Sequence, residues 1–371
     1  MKAKKKVLFG ITCLKLGGAE RVLVDIVNNL CDKYDITIFT LYNHGEFEKE
    51  LNKKVKLISM FDKTYDELSF LEKKILSFKL VNGKQREKLY HENIKEDYDV
   101  EICFLEGPIA WLLSTPSKAK KIAWVHNDIR DVFGEGKNAE RKKKLSGECY
   151  KNYETLVFVS KDNLEKFKLQ YGETDNKKQV IYNYLDMNLV LEKANKEQVK
   201  DMKDDLVSFV QVSRAVPQKG LFRLLDVHEK LIKDKLLHRM YIIGDGPDME
   251  KLRSLVAEKG LEDTFVLLGQ RQNPYPYVKK GDYFMLTSLY EGFGMVIVEA
   301  EILNKYIMIT NTAAREAVEG YKENSLIVDN TPEGIYKGIK TILKERPEVN
   351  KKKKFNNNKV LEEIIDLIEG E

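Results

Sequence analysis

Two glutamates eight positions apart frame the chemically richest stretch of the chain. It reads Ser288-Leu-Tyr-Glu-Gly-Phe-Gly-Met-Val-Ile-Val-Glu299 and follows an apolar run that ends near Thr287. Gly292, Phe293 and Gly294 predict a tight turn, and a helix is expected to begin near Met295. Glycine lets backbone amides approach a ligand closely, because no Cβ intervenes. A helix N-terminus adds unpaired N–H groups and the positive end of the macrodipole, which suits a phosphate or a sugar oxygen. Glu291 can face that turn while Glu299, a helical turn or more further on, meets another part of the same ligand. A carboxylate accepts two hydrogen bonds at once, as vicinal hydroxyls such as those of ribose require.

Two cations stand in a second loop-like stretch, Val212-Ser-Arg-Ala-Val-Pro-Gln-Lys-Gly220. Arg214 offers a planar fork and Lys219 a point charge, and together they could clamp a diphosphate. A third stretch, Tyr241-Ile-Ile-Gly-Asp-Gly-Pro247, places Gly244 and Gly246 in a turn between a strand and a helix. It is half of a dinucleotide fingerprint and lacks the third glycine, so it reads either as a turn beside a nucleotide or as a structural turn. Leu16-Gly17-Gly18-Ala19-Glu20 again places glycines between a strand and a helix, to approach an anion or simply to start the helix. In Ala123-Trp-Val-His-Asn-Asp128, His126 follows a short apolar strand and Asp128 lies close by in sequence. The other histidines are scattered and no HExxH pattern occurs, so a metal site is not expected.

The elements that must carry these residues alternate regularly. Strands are expected at 6–11, 35–41, 54–60, 99–105, 121–125 and 155–159. After a break at Val180-Ile-Tyr-Asn-Tyr-Leu-Asp186 and a polar stretch to Asp205, they resume at 206–213, 240–244, 265–269, 283–287, 306–310 and 325–328. Helical spacing fits 19–31, 221–233, 248–259, 296–303 and 360–368. Strands alternating with helices indicate βαβ units and a parallel sheet. The fold class is therefore α/β, with two Rossmann-like domains at 1–185 and 186–371 facing each other across a cleft. A chain of 371 residues agrees with two cores, since one core rarely serves more than about 250–300 residues. Ligands of such sheets bind beyond the carboxyl ends of the strands, where all five stretches fall.

Composition narrows the class further. The chain is 43% hydrophobic and 33% charged, which fits a globular protein and excludes disorder as its main state. Net charge is only +4, so the whole molecule is no polyanion binder. Residues 1–185 hold 34 Lys and Arg against 28 Asp and Glu, and the remainder 29 against 31. Basic runs lie at Lys2 to Lys6, Arg141 to Lys144 and Lys351 to Lys354, which read as solvated faces or as sites for anionic lipid or nucleic acid. Cys13, Cys31, Cys103 and Cys149 form no CxxC pair, so neither a disulfide framework nor a zinc site is expected, as suits a reducing cytoplasm. The basic-then-apolar start resembles a leader, but Lys15 interrupts it and a buried first strand explains it better. No stretch reaches the ~18 apolar residues of a spanning helix.

Together these motifs resemble the retaining glycosyltransferases of family four, which have the GT-B fold. The resemblance covers nearly the whole chain. It rests on the E-x7-E pair Glu291 and Glu299, the Arg214 to Gly220 stretch, the GDGP turn, the early GGAE, and Asn183-Tyr-Leu-Asp186, which looks like the family's inter-domain linker. Leu105-Glu-Gly-Pro108 and the WVHND segment look most like bacterial enzymes of capsule or cell-surface polysaccharide assembly. The resemblance implies that Arg214 and Lys219 hold the donor diphosphate, that Glu299 binds the ribose, and that Glu291 contacts the donor sugar with the amides of Phe293 and Gly294. It places His126 at the reaction centre and Gly17 and Gly18 on the first domain's side of the cleft. It implies no bound metal or cofactor, a UDP-sugar as co-substrate and a glycan or lipid-linked acceptor; the basic excess of the first half suggests a cytoplasmic protein in peripheral contact with an anionic membrane. The closing helix is expected to return to the first domain. Ala313 and Ala314 stand where many relatives have a glycine turn, which leaves the donor sugar open. Two rivals are a nucleotide-sugar 2-epimerase and a non-catalytic donor-binding protein; nucleic acid has no matching motif.

Overall fold

A computed structural model describes residues 3–130, 132–350 and 358–370; Lys2 and the lysine run 351–354 lie outside the described residues. The chain divides into two compact units, Met1–Leu185 with Asn358–Glu371, and Asp186–Asn357.

The first unit runs β1 (Lys6–Ile11), α1 (Gly18–Leu30), β2 (Asp35–Tyr42), β3 (Lys56–Phe61), α2 (Phe70–Val81), α3 (Gly83–Asn93), β4 (Val100–Cys103), α4 (Pro108–Leu113), β5 (Lys120–Val125), α5 (Lys137–Tyr150), β6 (Thr155–Phe158), α6 (Lys161–Tyr171) and β7 (Lys177–Val180). All seven strands are parallel, in the order β3-β2-β1-β4-β5-β6-β7. Helices cover both faces of such a sheet, so its central strands read as continuous apolar runs, and Val7 to Ile11 is buried throughout.

The second unit runs α7 (Met187–Asn195), β8 (Ser208–Val212), α8 (Leu221–Lys233), β9 (Arg239–Ile243), α9 (Met249–Glu258), β10 (Phe265–Gly269), α10 (Tyr275–Lys280), β11 (Tyr283–Leu286), α11 (Met295–Ile302), β12 (Tyr306–Thr310), β13 (Ser325–Val328) and α12 (Pro332–Glu345). Its six parallel strands lie in the order β10-β9-β8-β11-β12-β13. Amphipathic spacing explains the helices: Leu221, Leu224, Leu225 and Leu231 of α8 are all buried. The last helix, α13 (Asn358–Glu369), belongs to the first unit.

Three expectations need correction. The stretch after Asp186 is not all linker, because Asp186 caps α7 by accepting from the Leu189 amide at 3.0 Å. Strand β7 replaces part of the expected break; its Lys177-Lys178-Gln179 lies at the sheet edge, where polar residues can remain partly in water. Helices α2 and α3 fill a region with no assigned element.

Each strand order reverses direction once, between β1 and β4 and between β8 and β11. At such a switch point the two following loops diverge to opposite sides of the sheet and leave a crevice.

Candidate functional site

In the second unit the Arg214–Lys219 loop follows β8 and the Glu291 turn follows β11. These strands are direct neighbours, with Tyr283 paired to Phe209 and Phe284 to Val210. The sheet order thus brings together two stretches some seventy residues apart. The Leu289 amide donates to the Gln218 carbonyl at 2.7 Å, and Gln218 Nε2 donates to the Tyr290 carbonyl at 3.1 Å. At the centre, Lys219 Nζ lies 2.6 Å from Glu291 Oε2, and Ser288 Oγ donates to the same oxygen at 2.8 Å. Both charged side chains are largely buried, so the pair sits in a poorly screened setting. Arg214 is exposed beside it, with no side-chain hydrogen bond or ion pair among the described residues.

Glycine geometry builds the platform. Gly294 caps α11 with φ of 77°, a left-handed conformation that L side chains rarely adopt. The helix therefore starts at Met295, directly after Gly294; Phe293 is buried, and Gly292 and Gly294 are half-buried around it. A Cβ on Gly294 would come within 3.5 Å of the Ala314 Cβ, so the Ala313-Ala314 segment lies against this turn. Glu299, further along α11, accepts from Tyr275 Oη at 3.3 Å. Glu291 and Glu299 thus share the one turn-and-helix unit.

The GDGP turn supports the cationic loop from below. A Cβ on Gly244, at φ 135°, would lie 2.0 Å from the Ser213 carbonyl oxygen, and one on Gly246 would lie 2.5 Å from that of Ala215. The Ala215 amide donates to the Asp245 carbonyl at 2.9 Å, and the Asp248 amide to the Ala215 carbonyl at 3.0 Å. Gly244 and Gly246 are therefore required by close packing against the loop that bears Arg214, which is the structural role left open by the sequence.

Arg223 was not singled out in the sequence. Its guanidinium is held on α8 and donates to the Thr287 carbonyl at 2.7 Å, the Ser288 carbonyl at 3.2 Å and Asn330 Oδ1 at 2.5 Å. Asn330 Nδ2 in turn donates to the Leu289 carbonyl at 2.7 Å. Burial pulls the Arg223 pKa down, while its hydrogen bonds tie the guanidinium to the carbonyls that lead into the Glu291 turn. Only its distance in sequence hid it, since every partner lies more than sixty residues away.

Gly17, Gly18 and His126 belong to the first unit. Gly17 caps the N-terminus of α1, and a Cβ there would strike Glu20 Oε2 at 2.2 Å. That loop follows β1, at the switch point. Across it, Glu106 follows β4 and is buried. Its carboxylate accepts from the His126 amide, from the Asn127 amide at 2.7 Å and from Asn127 Nδ2 at 3.0 Å. Burial raises the Glu106 pKa, and the three donors oppose that rise. Glu106 thus fastens the loop after β5 to the loop after β4, a function that its place in the LEGP segment did not reveal.

The His126 ring is buried, 4.7 Å from the Phe104 ring, and its Nε2 has no hydrogen-bond partner among the described residues. Burial pushes its pKa down to about 3, so the imidazole is neutral near pH 7. Asp128 does not serve it: the Asp128 carboxylate binds Arg130 at 2.7 Å and Lys166 at 3.2 Å, which hold its pKa down to about 2. Sequence proximity to His126 is therefore misleading. Among the described residues no cluster of His, Cys, Asp and Glu could hold a metal ion.

Residues 192–360 match the family model described as Glycosyl transferases group 1. Over 342 residues the chain is 25% identical to the N-acetylgalactosamine-N,N'-diacetylbacillosaminyl-diphospho-undecaprenol 4-alpha-N-acetylgalactosaminyltransferase of Campylobacter jejuni, covering 90% of this chain and 89% of that protein. It is 22% identical over 366 residues to the capsular polysaccharide biosynthesis glycosyltransferase CapH of Staphylococcus aureus, covering 96% and 95%. Among solved structures, Anabaena HepE in complex with UDP and glucose gives a TM-score of 0.77 at 18% identity, covering 99% of this chain and 100% of that one. That likeness concerns the fold: paired Rossmann-like units of the GT-B type.

Proposed function

We propose, from the match of residues 192–360 to the model described as Glycosyl transferases group 1, that this chain is a retaining transferase of family four. It moves a hexose or N-acetylhexosamine from a UDP-sugar to an acceptor hydroxyl on a glycan or lipid-linked intermediate of cell-surface polysaccharide assembly. The observation that carries this reading is the 2.6 Å approach of Lys219 to Glu291. It gathers a cation suited to a diphosphate, a carboxylate suited to sugar hydroxyls and a helix N-terminus into one place. The relatives named for capsule assembly and for transfer onto a diphospho-undecaprenol substrate support the choice of acceptor. A structural neighbour holding UDP and glucose supports the choice of donor.

The reaction breaks the bond between the sugar C1 and the diphosphate oxygen, and forms one between C1 and the acceptor oxygen. The acceptor proton passes to the departing diphosphate, on the donor's own face, which retains configuration. Negative charge grows on the diphosphate as it leaves. Lys219, held in place by Glu291, and the amides at the start of α11 would meet it without a metal, joined by the exposed Arg214. Glu291 keeps the Lys219 ammonium in position before the donor arrives and then turns to the sugar. Glu299 takes the ribose hydroxyls. His126, kept neutral, offers its unpartnered Nε2 to a donor-sugar hydroxyl. The basic first half would face an anionic membrane on the cytoplasmic side, where lipid-linked acceptors reside.

A thermal-shift screen across nucleotide sugars tests the donor. UDP-sugars at a hundredfold over their Kd should stabilise the protein by about 2.7 kcal/mol. Release of UDP should then require an acceptor. A donor that is isomerised with no acceptor present would instead identify an epimerase, and a screen with no stabilising nucleotide sugar would end the proposal.

A further inference from the structure

Helix α2 is apolar on two opposite sides. Leu76 and Leu80 point into the core of the first unit, where they pack in the same cluster as Leu68, Leu89 and Tyr90. The other side carries Phe70, Leu71, Ile75, Phe78 and Val81, all exposed, with Phe70 at 73%, Leu71 at 65% and Phe78 at 62%. At 3.6 residues per turn these five fall on one continuous stripe, opposite Leu76 and Leu80. Among the described residues the chain has fourteen exposed large hydrophobic side chains, and five of them lie on this one helix. Scattered apolar residues on a surface need no explanation, but a contiguous stripe marks an interaction site.

The charges around the stripe say what covers it. Residues 70–88 hold six basic side chains against two acidic ones, so this short segment carries as much net charge as the whole chain. One of the two acids, Glu72, is used locally: it accepts from the Ser69 amide at 2.7 Å in the capping box and lies 3.4 Å from Lys63. Lys74 stands within the stripe with its Nζ 4.4 Å from the Phe70 ring, and Lys73 lies 4.7 Å over Tyr65. Both ammonium groups thus lie over exposed aromatic rings, ready to bond phosphate oxygens.

We propose that the outer face of α2, through Phe70, Leu71, Ile75, Phe78 and the flanking Lys74 and Lys79, docks the protein on an anionic lipid surface. The apolar side chains enter the headgroup–acyl boundary and the lysines meet lipid phosphates, as in interfacial helices. A second copy of the chain is disfavoured on the same observations. An apolar contact with a second copy would take the Lys74 ammonium, which stands within the stripe, out of water. Among the described residues no helix is long and apolar enough to cross a membrane, so this face would lie on the bilayer rather than span it. The proposal deepens the membrane contact of the proposed function by naming the surface that makes it, and its test does not depend on the identity of the sugar donor.

The test is co-sedimentation of the full chain with vesicles of phosphatidylcholine, with and without phosphatidylglycerol. The wild-type protein should sediment with the anionic vesicles and be released by salt. The double variant Leu71→Ser/Phe78→Ser should bind them about tenfold more weakly or less. Because both side chains are exposed, its thermal midpoint and its response to nucleotide sugars should match the wild type. Lys74→Glu/Lys79→Glu should lose the preference for phosphatidylglycerol. Equal sedimentation of the wild type and Leu71→Ser/Phe78→Ser would overturn the proposal, as would no sedimentation at all. A wild-type dimer in light scattering that Leu71→Ser/Phe78→Ser converts to monomer, without vesicle binding, would assign the face to self-association and equally overturn it.

Discussion

Buried polar groups at the strand ends decide how firmly the candidate site is held. Glu106 satisfies three donors from the His126–Asn127 segment with one carboxylate, and no cation shares that task. Glu106→Ala leaves those donors unpaired and should cost about 2–4 kcal/mol in urea denaturation. Glu106→Gln keeps an acceptor for the two amides, so it should retain at least half of that stability; equal losses for both variants would deny the clamp. The buried histidines give the fold a pH dependence whose sign is fixed. His126 and His228 are pushed down to about 3 by burial, and His238 to about 4. An unfolded imidazole titrates near 6.5, so below that value the unfolded chain binds more protons than the folded one. Stability should therefore be flat in these groups above pH 7 and fall steadily from about pH 6.5 toward pH 4. His238→Gln should flatten part of that slope in chemical denaturation at successive pH values.

Loops and turns show where one element depends on another. The β9–α9 turn and the Arg214 loop touch through backbone at Gly244, where φ is 135° and a Cβ would meet the Ser213 carbonyl oxygen at 2.0 Å. Gly244→Ala should destabilise the fold by about 2 kcal/mol or more and weaken donor binding in parallel, measured by denaturation and titration calorimetry. A variant with unchanged stability and donor affinity would show that the contact is dispensable. Much of this architecture was legible in the chain. Central strands of parallel sheets are continuous apolar runs, so Lys6–Ile11 and Tyr306–Thr310 emerged with their observed bounds. Edge strand β7 did not, because Lys177-Lys178-Gln179 has no such run. Helix α2 escaped because apolar residues on two opposite faces leave no single stripe for a period to reveal. The Glu291 turn and the Lys219 loop were readable as local chemistry. The partners of Arg223 and Glu106 were not, since a side chain bonding to carbonyls and amides far away in sequence carries no local signature.

The two units are completed by different means. The first owes its final layer to α13, whose Ile364, Leu367 and Ile368 are buried. Lys120 Nζ donates to the Leu367 carbonyl at 2.7 Å, and Tyr34 Oη to Glu369 Oε1 at 2.8 Å. Removing residues 358–371 should lower stability by on the order of 5 kcal/mol, from the three apolar side chains alone. The loss should appear in the unfolding transition of the first unit; an unchanged transition would make the helix an appendage. At the scale of the whole molecule, the proposed transfer requires the second unit to grip a sugar diphosphate where β8 and β11 end. The most direct measurement is the transfer rate at saturating UDP-sugar for Arg214→Ala and Lys219→Ala, each shown to be folded by circular dichroism. Both variants should fall by about a hundredfold or more, because each removes a positive charge that meets the leaving group. Near-normal rates in both would mean that the diphosphate is held elsewhere, and would contradict the account.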